Sequence, residues 1–150
     1  MKIEKIVIGS DHAGYDLKLK VIDKLESKGI MVKDVGTYST DSCDYPTYAD
    51  AVCKAIQLGE FEMGILICGT GIGMSIAANK HAGIRAACCS DIYSAKLTRQ
   101  HNNANVLCLG GRVVSPEKAV KLVDLWFTTP FEGDRHNRRL AIIAEMDERK

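Results

Sequence analysis

Met63-Gly64-Ile65-Leu66-Ile67-Cys68-Gly69-Thr70-Gly71-Ile72-Gly73 decides how this chain is read. Ile65 to Cys68 is apolar at consecutive positions, the pattern of a strand covered on both faces, as in a parallel sheet. The run ends at a cysteine, then glycines occupy alternate positions, and Ser75-Ile76-Ala77-Ala78-Asn79 continues as a helical segment. Glycines let the backbone turn sharply and approach a ligand closely. Free amides at a helix start attract anions or developing negative charge. Cys68 is then either a catalytic thiol beside an anion cradle or the last core residue of a strand.

Outward from this stretch, apolar runs alternate with amphipathic ones. Strands are expected at about 3–9, 31–35, 63–68, 84–89 and 105–110. A first helix carries Tyr15, Leu19, Ile22 and Leu25 and stops at Gly29. A second follows Pro46 with Tyr48, Ala51, Val52, Ala55 and Ile56. A third runs from about Gly73 to His81, and a fourth from Ser90-Asp91 to near His101. A fifth opens at Ser115-Pro116, a cap followed by a first-turn proline, and buries Ala119, Leu122, Val123 and Trp126. A last helix covers about 137–148. This alternation predicts an α/β fold, a parallel sheet with helices on both faces, in which ligands bind beyond the carboxyl ends of the strands. That rule selects Ser10-Asp11-His12-Ala13-Gly14, the Cys68 loop, Ser90-Asp91 and Gly110-Gly111-Arg112. The polar segment 36–45 follows a strand and borders the same end.

The chain has 150 residues, 46% of them hydrophobic, and a net charge of +1. One domain with a real core is expected, and a general polyanion-binding role is not. No apolar run reaches the roughly 20 residues of a membrane-spanning helix, and the N-terminus has no signal-peptide pattern, so a cytoplasmic location is expected. The cysteines at 43, 53, 68, 88, 89 and 108 form no C-x-x-C pair and no zinc-type spacing. Apart from Cys68 they are read as small core hydrophobes.

Four groups could carry chemistry. Asp11 and His12, delivered by a strand end, could orient hydroxyls and move protons; equally, Asp11 could cap the first helix and His12 lie on the surface. Cys68 acts as a base only as thiolate, a state that a helix N-terminus and nearby cations favour. Arg99-Gln100-His101-Asn102-Asn103 ends a helix before a strand, so it falls at the sheet edge opposite the Cys68 loop and enters that site only if a second subunit brings it there. Arg135-His136-Asn137-Arg138-Arg139 opens the last helix, where cations are locally unfavourable. Arg135 and Arg139 share a helical face, and a phosphate bound between them would relieve the conflict. The glycine loop has Met74 where a dinucleotide fingerprint wants its final glycine, and no Walker lysine. Asp91 alone favours a nucleotide, as a ribose-binding acid.

Taken together, the segments resemble the type B ribose-5-phosphate isomerase family, which also holds galactose-6-phosphate and allose-6-phosphate isomerases. The motifs are Gly9-Ser10-Asp11-His12-Ala13-Gly14, Gly36-Thr37 with Asp44-Tyr45-Pro46, Ile67 through Lys80, Gly83-Ile84-Arg85-Ala86, Ser94-Ala95 with Arg99-Gln100-His101-Asn102, Asn105-Val106-Leu107, Gly110-Gly111-Arg112-Val113, Phe131-Glu132-Gly133 and Arg135-His136. The resemblance implies a single-domain Rossmann-like α/β/α sandwich with a five-stranded parallel sheet. It implies a homodimer or tetramer whose sites are shared between subunits, with the last helix packing on a partner. It also implies a cofactor-free and metal-free aldose–ketose isomerisation through a cis-enediolate, with ribose 5-phosphate as substrate and a hexose 6-phosphate as the close alternative. A non-catalytic nucleotide-binding module is the alternative of a different class.

By the same resemblance Cys68 is the base between C1 and C2; some relatives use Glu at the position of Met74, which has no such chemistry. Thr70 and the amides of Gly69, Gly71 and Gly73 hold the enediolate oxygens. His101 opens the furanose ring, with Asp11 nearby. His12, Arg112, Arg135 and Arg139 grip phosphate and sugar, and Asn102 contacts the sugar.

Overall fold

The computed structural model describes residues 3–149. Five strands, β1 (Lys5–Ser10), β2 (Met31–Asp34), β3 (Gly64–Cys68), β4 (Ala86–Cys88) and β5 (Val106–Gly110), form one parallel sheet in the order β2-β1-β3-β5-β4. Six helices accompany them: α1 (Tyr15–Ser27), α2 (Tyr45–Gln57), α3 (Ile72–Ala78), α4 (Ile92–Asn102), α5 (Pro116–Thr128) and α6 (Arg135–Asp147).

The consecutive apolar runs are divided by the two-residue period of a strand. Ile6, Ile8, Ile65, Ile67, Leu107 and Leu109 join a core with Leu17, Val21, Leu25, Leu122 and Trp126 of α1 and α5. Val7, Leu66, Cys68, Val106 and Cys108 face the other way, onto Ala49, Val52, Cys53, Met74 and Ala78 of α2 and α3. Both faces are thus covered, and among the described residues no helix is long and apolar enough to cross a membrane.

α5 buries the residues its sequence pattern names: Ala119, Leu122, Val123 and Trp126. Ser115 accepts the Lys118 amide at 3.2 Å as its cap. α1 departs from expectation. Its buried stripe is Leu17, Lys18, Val21 and Leu25, while Leu19 is exposed. The apolar spacing was satisfied by two overlapping stripes, and the one that won contains a lysine. Lys18 is fully buried because its ammonium bonds Asp34 at 2.7 Å, donates to the Thr37 carbonyl and lies over the rings of Tyr15 and Tyr38. A buried charge persists only when paired and hydrogen-bonded in this way. α2 likewise turns Ala49 and Cys53 inward rather than Ala51.

The strand order sets the site. The chain leaves β1 to one side for β2 and returns to its other side for β3, so the switch point lies between β1 and β3. There the Asp11 amide donates to the Ile67 carbonyl at 3.2 Å. A crevice at the carboxyl ends of two such strands is where ligands enter this class of sheet.

Candidate active site

Cys68 ends β3 on the α2/α3 face and is 5% exposed. The Gly71 amide turns back and donates to its sulfur at 3.2 Å. That turn needs φ of +83° at Gly71, and a Cβ there would lie 2.8 Å from the carbonyl carbon of Leu109, so only glycine fits. The Gly71 amide, expected to meet an enediolate oxygen, is directed at the thiol in this structure. α3 has only seven residues, so the direct N–H···S bond, rather than a long helix dipole, is what the loop presents to the sulfur. Gly73 lies in the first turn of α3, where an amide has no helical partner.

The loop is braced from β5. The Gly111 amide donates to the Cys68 carbonyl at 2.8 Å, and the Arg112 amide to the Gly69 carbonyl at 3.0 Å. The Arg112 guanidinium lies beside Gly69, its Nη1 3.5 Å from where a Cβ would stand. Thr70 is exposed, and its Oγ1 accepts the Ile72 amide at 3.2 Å.

β1 supplies Asp11 and His12. Asp11 is buried and accepts the Gly14 amide at 3.0 Å. It closes the turn before α1, and Gly14, not Asp11, is the N-cap of that helix. His12 accepts the Cys43 amide on Nδ1 at 3.2 Å. Its neutral tautomer therefore carries the proton on Nε2, where it is a donor. The segment 36–45 does border the site. The Thr37 amide donates to the Ser10 carbonyl at 2.7 Å, and the Tyr45 ring covers Gly73, within 2.7 Å of a Cβ there. Ser10 Oγ is buried with no hydrogen-bond partner among the described residues.

A second group assembles at the opposite edge. Cys68 pairs with Gly110 at the carboxyl end of β5, whereas α4 delivers its last residues just before Val106, the start of β5. There His101 stacks on His136 with ring centroids 4.3 Å apart. Glu132 Oε1 lies 3.8 Å from His101 Nε2 and 3.6 Å from His136 Nε2. Asn102, Arg135 and Arg139 are exposed nearby on the same two elements. α6 starts with no acidic residue in its first turn and no side-chain cap, so its free amides and its arginines present one electropositive end. Burial, then the adjacent Arg135 and His101, hold the His136 imidazole below its ordinary pKa. Arg99 is structural: it is buried and donates to the carbonyls of Thr129 and Ala104.

The expected residues thus fall into two sets. Asp11, His12, Cys68, Gly69, Thr70, Gly71, Gly73 and Arg112 converge at one end of the sheet; His101, Asn102, Arg135 and Arg139 gather at the other. Tyr45, the Cys43 amide, Glu132 and His136 are the additions. The loop residues carried no pattern, and Glu132 precedes α6, so it meets His136 through the turn that leads into the helix rather than through helical spacing.

One expectation fails. Cys88 is exposed and Cys43 half-buried, so neither is a core hydrophobe. Cys53, Cys89 and Cys108 are, and burial pushes the first two thiols up to about 12 and about 11. Asp91, the acid of the nucleotide reading, instead caps α4 by accepting the Ser94 amide at 2.8 Å, and that bond holds its carboxyl below the usual range.

The family model described as Ribose/Galactose Isomerase matches residues 6–143. The chain is 49% identical over 148 residues to ribose-5-phosphate isomerase B of Escherichia coli, covering 99% of each. Its fold superposes on ribose-5-phosphate isomerase B of Clostridium thermocellum with a TM-score of 0.95 at 48% identity, covering 97% of this chain and 98% of that one. The Mycoplasma genitalium ribose-5-phosphate isomerase B, solved with bound ribulose 5-phosphate, matches with a TM-score of 0.92 at 41% identity and 97% coverage of both chains. The chain belongs to the ribose/galactose isomerase family.

Proposed function

We propose that this protein interconverts D-ribose 5-phosphate and D-ribulose 5-phosphate by moving a proton between C1 and C2 through a cis-enediolate. The observation that carries the reading is the Cys68 thiol with the Gly71 amide aimed at its sulfur, in a chain so similar to ribose-5-phosphate isomerases B over its whole length.

The furanose must first open. An acid–base residue takes the O1 proton while the ring oxygen is protonated, and His101 has this role, with Asp11 nearby. Cys68, as thiolate, then removes the C2 proton of the aldehyde. The charge that develops on O1 is met by Thr70 and the amides of Gly69 and Gly73, fixed donors that need no reorganisation. A proton passes from O2 to O1 within the cis-enediolate, and Cys68 then returns its proton to C1 as O2 becomes the ketone oxygen and O1 the hydroxyl. His12, Arg112, Arg135 and Arg139 grip the phosphate and sugar, and Asn102 contacts the sugar. Phosphate binding far from C1 supplies orientation.

Because the two sets lie at opposite edges of one sheet, a complete site takes Cys68 from one chain and the partner subunit's His101. A homodimer or dimer of dimers follows. Ile142, Ile143 and Met146 of α6 are exposed large apolar residues, and Ile143 and Met146 line a groove with Ile84, Ala87 and Thr98. Such a face favours burial against a second copy. The free thiols suit a reducing, cytoplasmic location.

The test is turnover of ribose 5-phosphate against allose 6-phosphate and galactose 6-phosphate. The reading expects ribose 5-phosphate to have the highest kcat/KM; a preference for either hexose would overturn the substrate, and no turnover of any would overturn the activity.

A further inference from the structure

His101, Glu132 and His136 bring together two imidazoles and a carboxylate, and their three ligand atoms lie within 4.8 Å of one another. The 3.8 and 3.6 Å separations to Glu132 Oε1 are too long for hydrogen bonds. They are slightly longer than the roughly 3.3 Å between ligands around a tetrahedral ion with bonds of about 2.0–2.1 Å. A second observation points the same way. His136 is 4% exposed, and its Nε2, aimed at this cluster, has no hydrogen-bond partner among the described residues. Buried imidazole nitrogens are normally paired. As a metal ligand an imidazole is neutral and offers this nitrogen's lone pair.

We propose that His101, Glu132 and His136 form a site for one zinc-class divalent cation, and that occupying it withdraws His101 from ring opening. The second half rests on the role proposed for His101; the first does not. Two imidazoles and one carboxylate suit a borderline ion such as zinc over magnesium or calcium, and leave a fourth position for water or an anion. The stacked rings are 16° from parallel, so both cannot aim at one ion as they stand. His136 is enclosed, whereas His101 is half-exposed in the last turn of α4, so ion binding requires the His101 ring to rotate. Arg135 and Arg139 oppose a cation here, and an anion in the fourth position offsets them. Ligands contributed by 101, 132 and 136 make no compact sequence motif, and only the fold joins them.

The experiment is a titration of the full-length protein with cobalt(II), followed by calorimetry and visible absorption, with isomerase turnover measured under zinc(II). One ion per chain should bind at micromolar concentration, without the sulfur-to-cobalt charge-transfer band of a thiol site. Glu132→Gln, at an exposed residue, and His136→Ala should each weaken binding at least about tenfold. Zinc inhibition, scaled to each variant's own metal-free rate, should weaken in parallel. No saturable binding below millimolar cobalt, equal affinity in both variants, or a sulfur charge-transfer band would overturn the site. Binding of one ion with undiminished turnover would overturn the second half and count against His101 as the ring-opening residue.

Discussion

The amide nitrogen of Gly71 points at the sulfur of Cys68 from 3.2 Å. The bond requires a left-handed residue three positions on, with no room for a side chain against Leu109. Gly71→Ala therefore displaces the amide rather than merely adding a methyl. Misplacing a catalytic group by about 1 Å costs on the order of 100-fold in rate. We expect kcat to fall by about that factor with KM little changed, read by steady-state turnover of ribose 5-phosphate. A rate within about threefold of the parent would separate the hydrogen bond from catalysis.

The arginine pair is read through KM. Arg135 and Arg139 are exposed and lie outside the core, so removing either leaves the melting temperature nearly unchanged. Each charge-assisted bond to phosphate is worth about 1.5–3 kcal/mol, so Arg135→Ala or Arg139→Ala should raise KM about 10- to 100-fold. Normal KM in both variants would remove the phosphate clamp.

Sharing of the site is tested by mixing inactive chains. Cys68→Ala and His101→Ala homodimers should each be nearly inactive. Hybrids formed by co-expression hold one site with both residues intact, so about half of the parent rate per hybrid dimer is expected. Complete absence of recovery in purified hybrids would place His101 and Cys68 in separate functions.

His136 links stability to pH. Burial, Arg135 and His101 lower its pKa in the fold, so between its ordinary value of about 6.5 and its lower folded value the unfolded chain binds the extra proton. Stability then rises with pH across that window and is lost as pH falls through it. Melting followed from pH 7.5 down to 5 should show this loss, and His136→Asn should flatten it. An equally steep loss in the variant would assign it elsewhere.

Much of the architecture was legible in the sequence because its elements carry simple periodicity. The run at Ile65–Cys68 showed a strand covered on both faces, and Ser115-Pro116 with Trp126 fixed both the start and the buried stripe of α5. α1 was misread because hydrophobicity alone ranks Leu19 above Lys18, whereas Lys18 is drawn inside by Asp34, the Thr37 carbonyl and two rings from distant positions. The same holds in the site. Cys68 and Asp11 stand at strand ends, which the topology rule selects, and His101 was assigned to the opposite edge because its helix precedes β5. The Cys43 amide on His12, the Tyr45 ring over Gly73 and the stacking of His101 on His136 join segments that no local pattern connects.

The central claim is that Cys68 moves the proton between C1 and C2, and Cys68→Ala tests it most directly. General base catalysis contributes about 100- to 10,000-fold, so kcat for ribose 5-phosphate should fall by at least about 100-fold while the variant still binds the sugar phosphate and keeps its circular dichroism. Turnover within about tenfold of the parent in a folded variant would contradict the account.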